Sequence, residues 1–161
     1  MLSVFDGLRD VTTLSVFVRL ACALICGGII GIERSYKRRP AGFRTHILIC
    51  IGAAITTLTS QYLYLNMHYF TDMARLGAQV VAGIGFIGAG TIIVTRRQRV
   101  KGLTTAAGLW TSACAGLALG IGLYEVAAPA CLSTLELYPP ARPRSPAMTM
   151  SRVRFTSSRR R

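Results

Sequence analysis

The stretch LTTAAGLWTSACAGLALGIGLY, Leu103–Tyr124, runs for 22 residues without an Asp, Glu, Lys or Arg. A helix of about 20 apolar residues is enough to cross the hydrocarbon core of a bilayer. Three more stretches of this kind precede it. Leu76–Thr95 and His46–Leu65 each hold 20 uncharged residues, and Leu14–Ile32 holds 19 with one charge, Arg19. A helix on the surface of a soluble core shows a polar face at the 3.6-residue period, and these stretches show little of one. The spacing predicts an all-α, polytopic membrane bundle of four spans.

The composition agrees. The chain has 161 residues, one domain's worth, with 52% hydrophobic and only 16% charged residues, where soluble chains carry about 25% charged. Its mean hydropathy is +0.45. Nineteen Lys and Arg face six Asp and Glu, a net charge of +13. The cations fall between the spans. Arg34, Lys37, Arg38, Arg39 and Arg44 follow the first span, and Arg96, Arg97, Arg99 and Lys101 follow the third, while Asn66–Arg75 holds only Arg75 beside Asp72. Basic loops stay in the cytoplasm. This places the first and third loops on the cytoplasmic side and the N-terminus outside. The basic balance thus has a topological cause, and a nucleic-acid partner is not expected. Asp6, Arg9 and Asp10 make the leading segment net acidic, unlike a cleaved signal peptide.

The two basic loops resemble each other, each framed by glycines, Gly31 to Gly42 and Gly90 to Gly102. A duplication would be parallel, because both run in the same direction across the membrane. The chain divides into a transmembrane region, residues 1–125, and a Pro/Arg/Ser-rich tail, residues 126–161. Val126–Tyr138 is apolar but short and is interrupted by Pro129 and Glu136, so it reads as a degenerate fifth span. Pro139, Pro140, Pro143 and Pro146 lead to Arg159-Arg160-Arg161, a composition that a shifted reading frame near Ala127 would produce. Disorder is expected over Pro139–Arg161.

Small residues recur at helix-packing intervals: Gly27 and Gly31, Gly116 and Gly120, and Ala78, Ala82, Gly85 and Ala89. Such positions let membrane helices approach closely. Gly83-Ile84-Gly85-Phe86-Ile87-Gly88 satisfies GxGxxG, but inside a span and with no preceding strand it reads as packing and not as a dinucleotide site. Glu33 is the one acid on the first basic loop, and pairing with Arg34 or Arg44 is its expected fate. Arg19 sits near the outer end of its span and is expected to snorkel to water. Asp72 and Arg75 are placed to pair, and Gln79 to hydrogen-bond between helices. Cys22, Cys26, Cys50, Cys114 and Cys131 lack the spacing of a disulfide framework or zinc site. His46 and His68 lie at opposite ends of the second span. No hydrolase triad, P-loop or HExxH occurs, so neither catalysis nor a cofactor is expected.

Three segments together are specific. Gly31-Ile32-Glu33-Arg34 with Arg39-Pro40-Ala41-Gly42-Phe43-Arg44-Thr45-His46, then Gln79 through Gly90 with Gly83, Gly85 and Gly88, then Val100-Lys101-Gly102-Leu103-Thr104-Thr105 followed by Leu109-Trp110, resemble the MgtC/SapB family over about residues 14–125. The resemblance implies a small bacterial inner-membrane protein linked to growth in low magnesium and, in pathogens, to survival in host cells. It favours a regulator touching other membrane machinery, such as the F-type ATP synthase, over transport by the chain itself. It also implies a fifth span, eroded here. Its candidate functional residues are Glu33, Arg34, Arg39, Pro40, Gly42, Arg44, Thr45 and His46, then Gln79, Gly83, Gly85 and Gly88, then Gly102, Thr104, Thr105 and Trp110. Direct magnesium transport, with Glu33, Arg34 and Arg44–His46 lining a path, is the alternative, and a structural scaffold a second. Homo-oligomerisation is left open.

Overall fold

The computed structural model describes residues 10–68, 72–94 and 99–136; the expected disorder over Pro139–Arg161, like Arg96 and Arg97, lies outside them. Five helices account for nearly all of it: α1 (Thr13–Tyr36), α2 (Phe43–Leu65), α3 (Arg75–Gly90), α4 (Leu103–Gly120) and α5 (Tyr124–Glu136). A short antiparallel ribbon, β1 (Ile93–Val94) and β2 (Val100–Lys101), joins α3 to α4. By length and composition α1, α2 and α4 can each cross a membrane, while α3 is a shorter apolar helix.

The helix ends follow from local chemistry. Thr12 caps α1, its hydroxyl accepting the Ser15 amide while the Ser15 hydroxyl accepts the Thr12 amide, a reciprocal capping box. α1 ends in a Schellman turn, with the Arg39 amide on the Arg34 carbonyl, the Arg38 amide on that of Ser35, and Arg38 itself left-handed at φ +51°. α4 ends the same way. Leu123 and Gly122 donate to Ala118 and Leu119, and Gly122 has φ +82°. This turn cuts the apolar run Leu103–Tyr124, which is not one continuous helix. Asp72 serves the start of α3, its carboxylate accepting the Ala74 amide at 2.9 Å.

The third apolar run departs from the expected single helix. α3 stops at Gly90, because Thr91 turns its hydroxyl onto the Gly88 carbonyl at 2.7 Å and the β-branched run Ile92-Ile93-Val94 favours extended backbone. Gly102 closes the neck of the ribbon at φ +96°, where a Cβ would overlap the Thr91 carbonyl. The two basic loops therefore differ in kind, one a tight helix turn and the other a ribbon.

α2 is the centre of the bundle, with its main interfaces against α1 and α4. A Cβ on Gly27 would lie 2.8 Å from the His46 carbonyl oxygen, and one on Gly31 2.7 Å from the Phe43 Cα. On the other side, a Cβ on Gly116 would overlap the Cys50 carbonyl, and one on Gly120 would lie 2.7 Å from that of Ala54. Both GxxxG pairs thus do the packing their spacing predicts. Around these contacts Ala23, Cys26, Ile30, Cys50, Ala54, Ala115 and Leu119 form one buried cluster, joined by Ala127 and Cys131 of α5. A second cluster holds Ala53, Ile84, Leu109 and Ala113.

α3 behaves otherwise. It meets α4 and α2 along Gly77, Val80, Ile84 and Gly88, where only Ile84 and Gly88 are buried. Ala78, Ala82, Gly85 and Ala89, expected to pack, stand exposed, and a Cβ on Gly83, Gly85 or Gly90 would meet nothing within 4 Å.

This contrast is testable by melting in detergent. Gly116→Val is expected to lower stability by about 1–3 kcal/mol through overpacking. Gly83→Val, on the open face, should stay within about 0.5 kcal/mol of the parent. Equal melting temperatures for the two would contradict the packing described here.

Candidate functional site

At the hairpin end of the bundle, where α1 and α3 finish and α2 and α4 begin, several of the expected residues converge. The Schellman turn fixes the last turn of α1, and this sets Glu33, Arg34 and Lys37 together. Arg34 is only 3% exposed. Its guanidinium lies over Gly108 of α4, where a Cβ would come within 3.1 Å of Nη2. The glycine is what admits the guanidinium. Arg34 Nε stands 3.5 Å from Glu33 Oε2, and Lys37 Nζ pairs with Glu33 Oε1. The expected pairing with Arg34 is present, and the second cation is Lys37. A carboxylate flanked by two cations is a poor seat for a bare divalent ion, which prefers an octahedron of oxygens.

Beside this group, the first turn of α2 buries His46 completely, with Nδ1 donating to the Gly42 carbonyl at 2.9 Å. Its Nε2 is buried with no hydrogen-bond partner among the described residues. Gly42 is the N-cap of α2, pressed against Ser35, whose hydroxyl accepts the Phe43 amide at 2.9 Å. Thr105 is buried in the first turn of α4, and Ser112 one turn beyond Gly108 bonds back to the Gly108 carbonyl at 3.0 Å.

The other expected residues do not join this group. Arg39 and Pro40 are exposed on the turn, Arg44 is exposed and Thr45 half-buried at the start of α2, while Thr104 and Trp110 are exposed on α4. Gly88 packs on Ala106 at 3.4 Å for an added Cβ. Gln79 is exposed near the far end of α3 and bridges nothing to the hairpin end. The thiols of Cys26, Cys50 and Cys131 lie in the core, Cys131 Sγ donating to the Cys26 carbonyl at 3.7 Å. Among the described residues no three His, Cys, Asp or Glu come together as a metal site.

The opposite end holds a feature that sequence reasoning misjudged. Arg19 does not snorkel; it is fully buried. Its Nη1 donates to Gln61 Oε1 at 2.7 Å and to the Gly120 carbonyl at 2.8 Å, and Gly122 makes room for the guanidinium. The end of α4 offers unpaired carbonyls and the negative end of its dipole, so the helix terminus itself accommodates the cation. The signal was present in the pairing of Arg19 with Gln61, the polar residues near the same end of two antiparallel spans.

This bundle, with three helices of membrane-spanning length and buried cations at both ends, defines a polytopic α-helical membrane protein. Comparison with known proteins carries the assignment further. The family model described as MgtC matches residues 20–138. The chain is 44% identical over 118 residues to "Putative magnesium transporter YhiD" of Escherichia coli (strain K12), covering 71% of this chain and 54% of that one. It is 41% identical over 124 residues to "Protein MgtC" of Brucella abortus (strain 2308), covering 77% and 50%. It is 38% identical over 116 residues to "Protein SapB" of Bacillus subtilis (strain 168), covering 70% and 50%. The chain belongs to the MgtC family. It spans about half the length of these curated relatives. No solved structure matches it.

The Arg19 socket yields a thermodynamic cycle. Gln61→Leu strands a buried charge without one acceptor and is expected to cost about 1.5–3 kcal/mol. The double change Arg19→Met with Gln61→Leu removes the charge too and should cost less than Gln61→Leu alone. Thermal melting of Gln61→Leu, Arg19→Met and the double variant in detergent checks it; additive losses would contradict a coupled pair.

Proposed function

We propose that this chain is a regulatory protein of the bacterial inner membrane, active under magnesium limitation and host-cell survival, that works by contact with other membrane machinery such as the F-type ATP synthase. In this reading α3 crosses the bilayer as a fourth span, the hairpin end faces the cytoplasm and the N-terminus faces out, following the positive loops.

The observation that carries the reading is the open face of α3. Gly83, Gly85 and Gly90 have no neighbour where a side chain would stand, and Phe86 is 86% exposed beside them. Small residues on a membrane helix admit a second helix at close range, and no helix of this chain takes that place among the described residues. The state of Glu33 supports the same reading, since its carboxylate is already matched by Arg34 and Lys37. A second reading, magnesium transport through the Glu33, Arg34 and Arg44–His46 region, is favoured by the name of the Escherichia coli relative.

Growth of a deletion strain in low magnesium separates them. Gly85→Trp is expected to fold and melt like the parent yet fail to restore growth, whereas Gly88, packed on Ala106, would report only on folding. Full rescue by Gly85→Trp would sink the contact reading. Magnesium flux into proteoliposomes of purified protein, abolished by Glu33→Gln, would establish transport in its place.

A further inference from the structure

Three of the five cysteines border a cavity that the contact reading does not use. It lies between α1 and α5, with walls formed by Cys22, Cys26 and Ile29 on one side and Tyr124, Ala128 and Cys131 on the other. Its volume is about 330 Å³, at the small end of ligand pockets of about 300–1,000 Å³. That is room for a ring and not for a peptide. Cys22 to Ile29 is the middle of the 24-residue α1, so the cavity sits at mid-depth of the span. The rim is apolar as well, with Ile25, Ile29 and Leu132 58%, 39% and 59% exposed. The cavity thus opens onto hydrocarbon and not onto water.

Two of its thiols form a pair. Cys131 Sγ donates to the Cys26 carbonyl at 3.7 Å. The Cys26 thiol lies within hydrogen-bonding reach of Cys131 on one side and of Cys50 on the other. Cys50 is fully buried and forms no wall of the cavity. Cys22 does border it, but it stands one turn from Cys26 on the same helix, where the Cβ bonds run parallel and do not converge on a disulfide. Of these thiols, Cys26 and Cys131 alone combine mutual contact with access from the lipid. The pair also joins elements of unequal hold. α1 is fixed by its glycine contacts to α2, whereas α5 has 13 residues with Pro129 among them, which removes a backbone donor from the helix.

We propose that Cys26 and Cys131 are an oxidisable dithiol served through this cavity by a membrane quinone, and that the resulting disulfide ties α5 to α1. The occupant follows from place and chemistry. A charged thiol oxidant such as glutathione disulfide is kept from mid-bilayer depth by the cost of charge in hydrocarbon. The oxidant must be apolar, small enough for the cavity and able to take two electrons with two protons. A quinone is that class, and the Tyr124 ring offers it an aromatic wall. The step balances. One sulfur adds to the quinone ring and its proton passes to a ring oxygen. The other sulfur attacks the first and expels the reduced ring, which takes the second proton. Both S–H bonds break, one S–S bond forms, and the quinone leaves as quinol. The dithiol acts whether or not α3 meets a partner or any ion is moved.

The test uses the full-length protein, reduced and kept free of oxygen in nanodiscs, with decylubiquinone as the probe. The expected result is one quinol per chain and the loss of two alkylatable thiols, with peptide mapping joining Cys26 to Cys131. Cys131→Ala should abolish both signals, while Cys22→Ala and Cys114→Ala should keep them. Ala128→Leu leaves every thiol in place but narrows the cavity, and should slow quinol formation several-fold; it decides the matter if Cys131→Ala does not melt with the parent. Oxidised glutathione, offered from water instead, should leave the thiols intact. Quinone left unreduced, a bridge mapped to Cys26 and Cys50, quinol formation unchanged by Ala128→Leu, or equally fast oxidation by glutathione would each overturn the proposal.

Discussion

The backbone of α2 lies against the backbones of α1 and α4 because glycines remove the side chains that would hold them apart. Gly27 and Gly31 admit it from one side, Gly116 and Gly120 from the other. Lipid tails are as apolar as leucine, so hydrophobic burial gives little net drive for helix association within a bilayer, and close van der Waals contact has to supply it. The three long helices therefore stand or fall together on four positions. Their closeness also sets what can exist at the ends of the bundle, since any polar group there is sealed from water and must find its partner in protein.

Two arginines show the consequence. An arginine in the middle of a membrane helix costs about 2.5–3.5 kcal/mol on insertion scales, yet Arg19 and Arg34 are both buried. Each is placed near an end and each is given space by a glycine of the α4 region, Gly122 for Arg19 and Gly108 for Arg34. Arg19 is satisfied by a neutral amide and a helix-terminal carbonyl. Arg34 stands beside a carboxylate that it shares with Lys37. The same residue type is thus used in two ways, one locking the ends of α1, α2 and α4 together, the other setting the charge at the loop end.

α3 is the exception to this economy of contact. Its inner line of Gly77, Val80, Ile84 and Gly88 suffices to hold it to the bundle, and the rest of its surface is open. It is also the helix that gives way to extended structure before its apolar run is complete. The contact proposed for its glycine face arises from this. An element loosely held on one side can offer surface that the tightly packed helices cannot.

The helical class, the membrane setting and the family were legible in the sequence, because uncharged runs of 20 residues and three ordered motifs depend only on composition and spacing. So was the role of Gly27, Gly31, Gly116 and Gly120, since period and residue size are enough to mark a packing face. The fate of Arg19 was not, because spacing places a charge near a span's end without saying whether water or the end of another helix lies beside it. Nor was the division of Gly83-Ile84-Gly85-Phe86-Ile87-Gly88 into one packed glycine and two open ones, which depends on how far α3 is rotated about its axis. The pairing of Val94 with Val100 beyond the break at Thr91 was not legible either, because it is a contact between segments apart in sequence. What the sequence by itself determined is where the chain is apolar, where it is charged and where it is small. Which of those small and charged groups face each other, and which face outward, only the tertiary structure decided, because that depends on helix rotation and register, which local spacing leaves open.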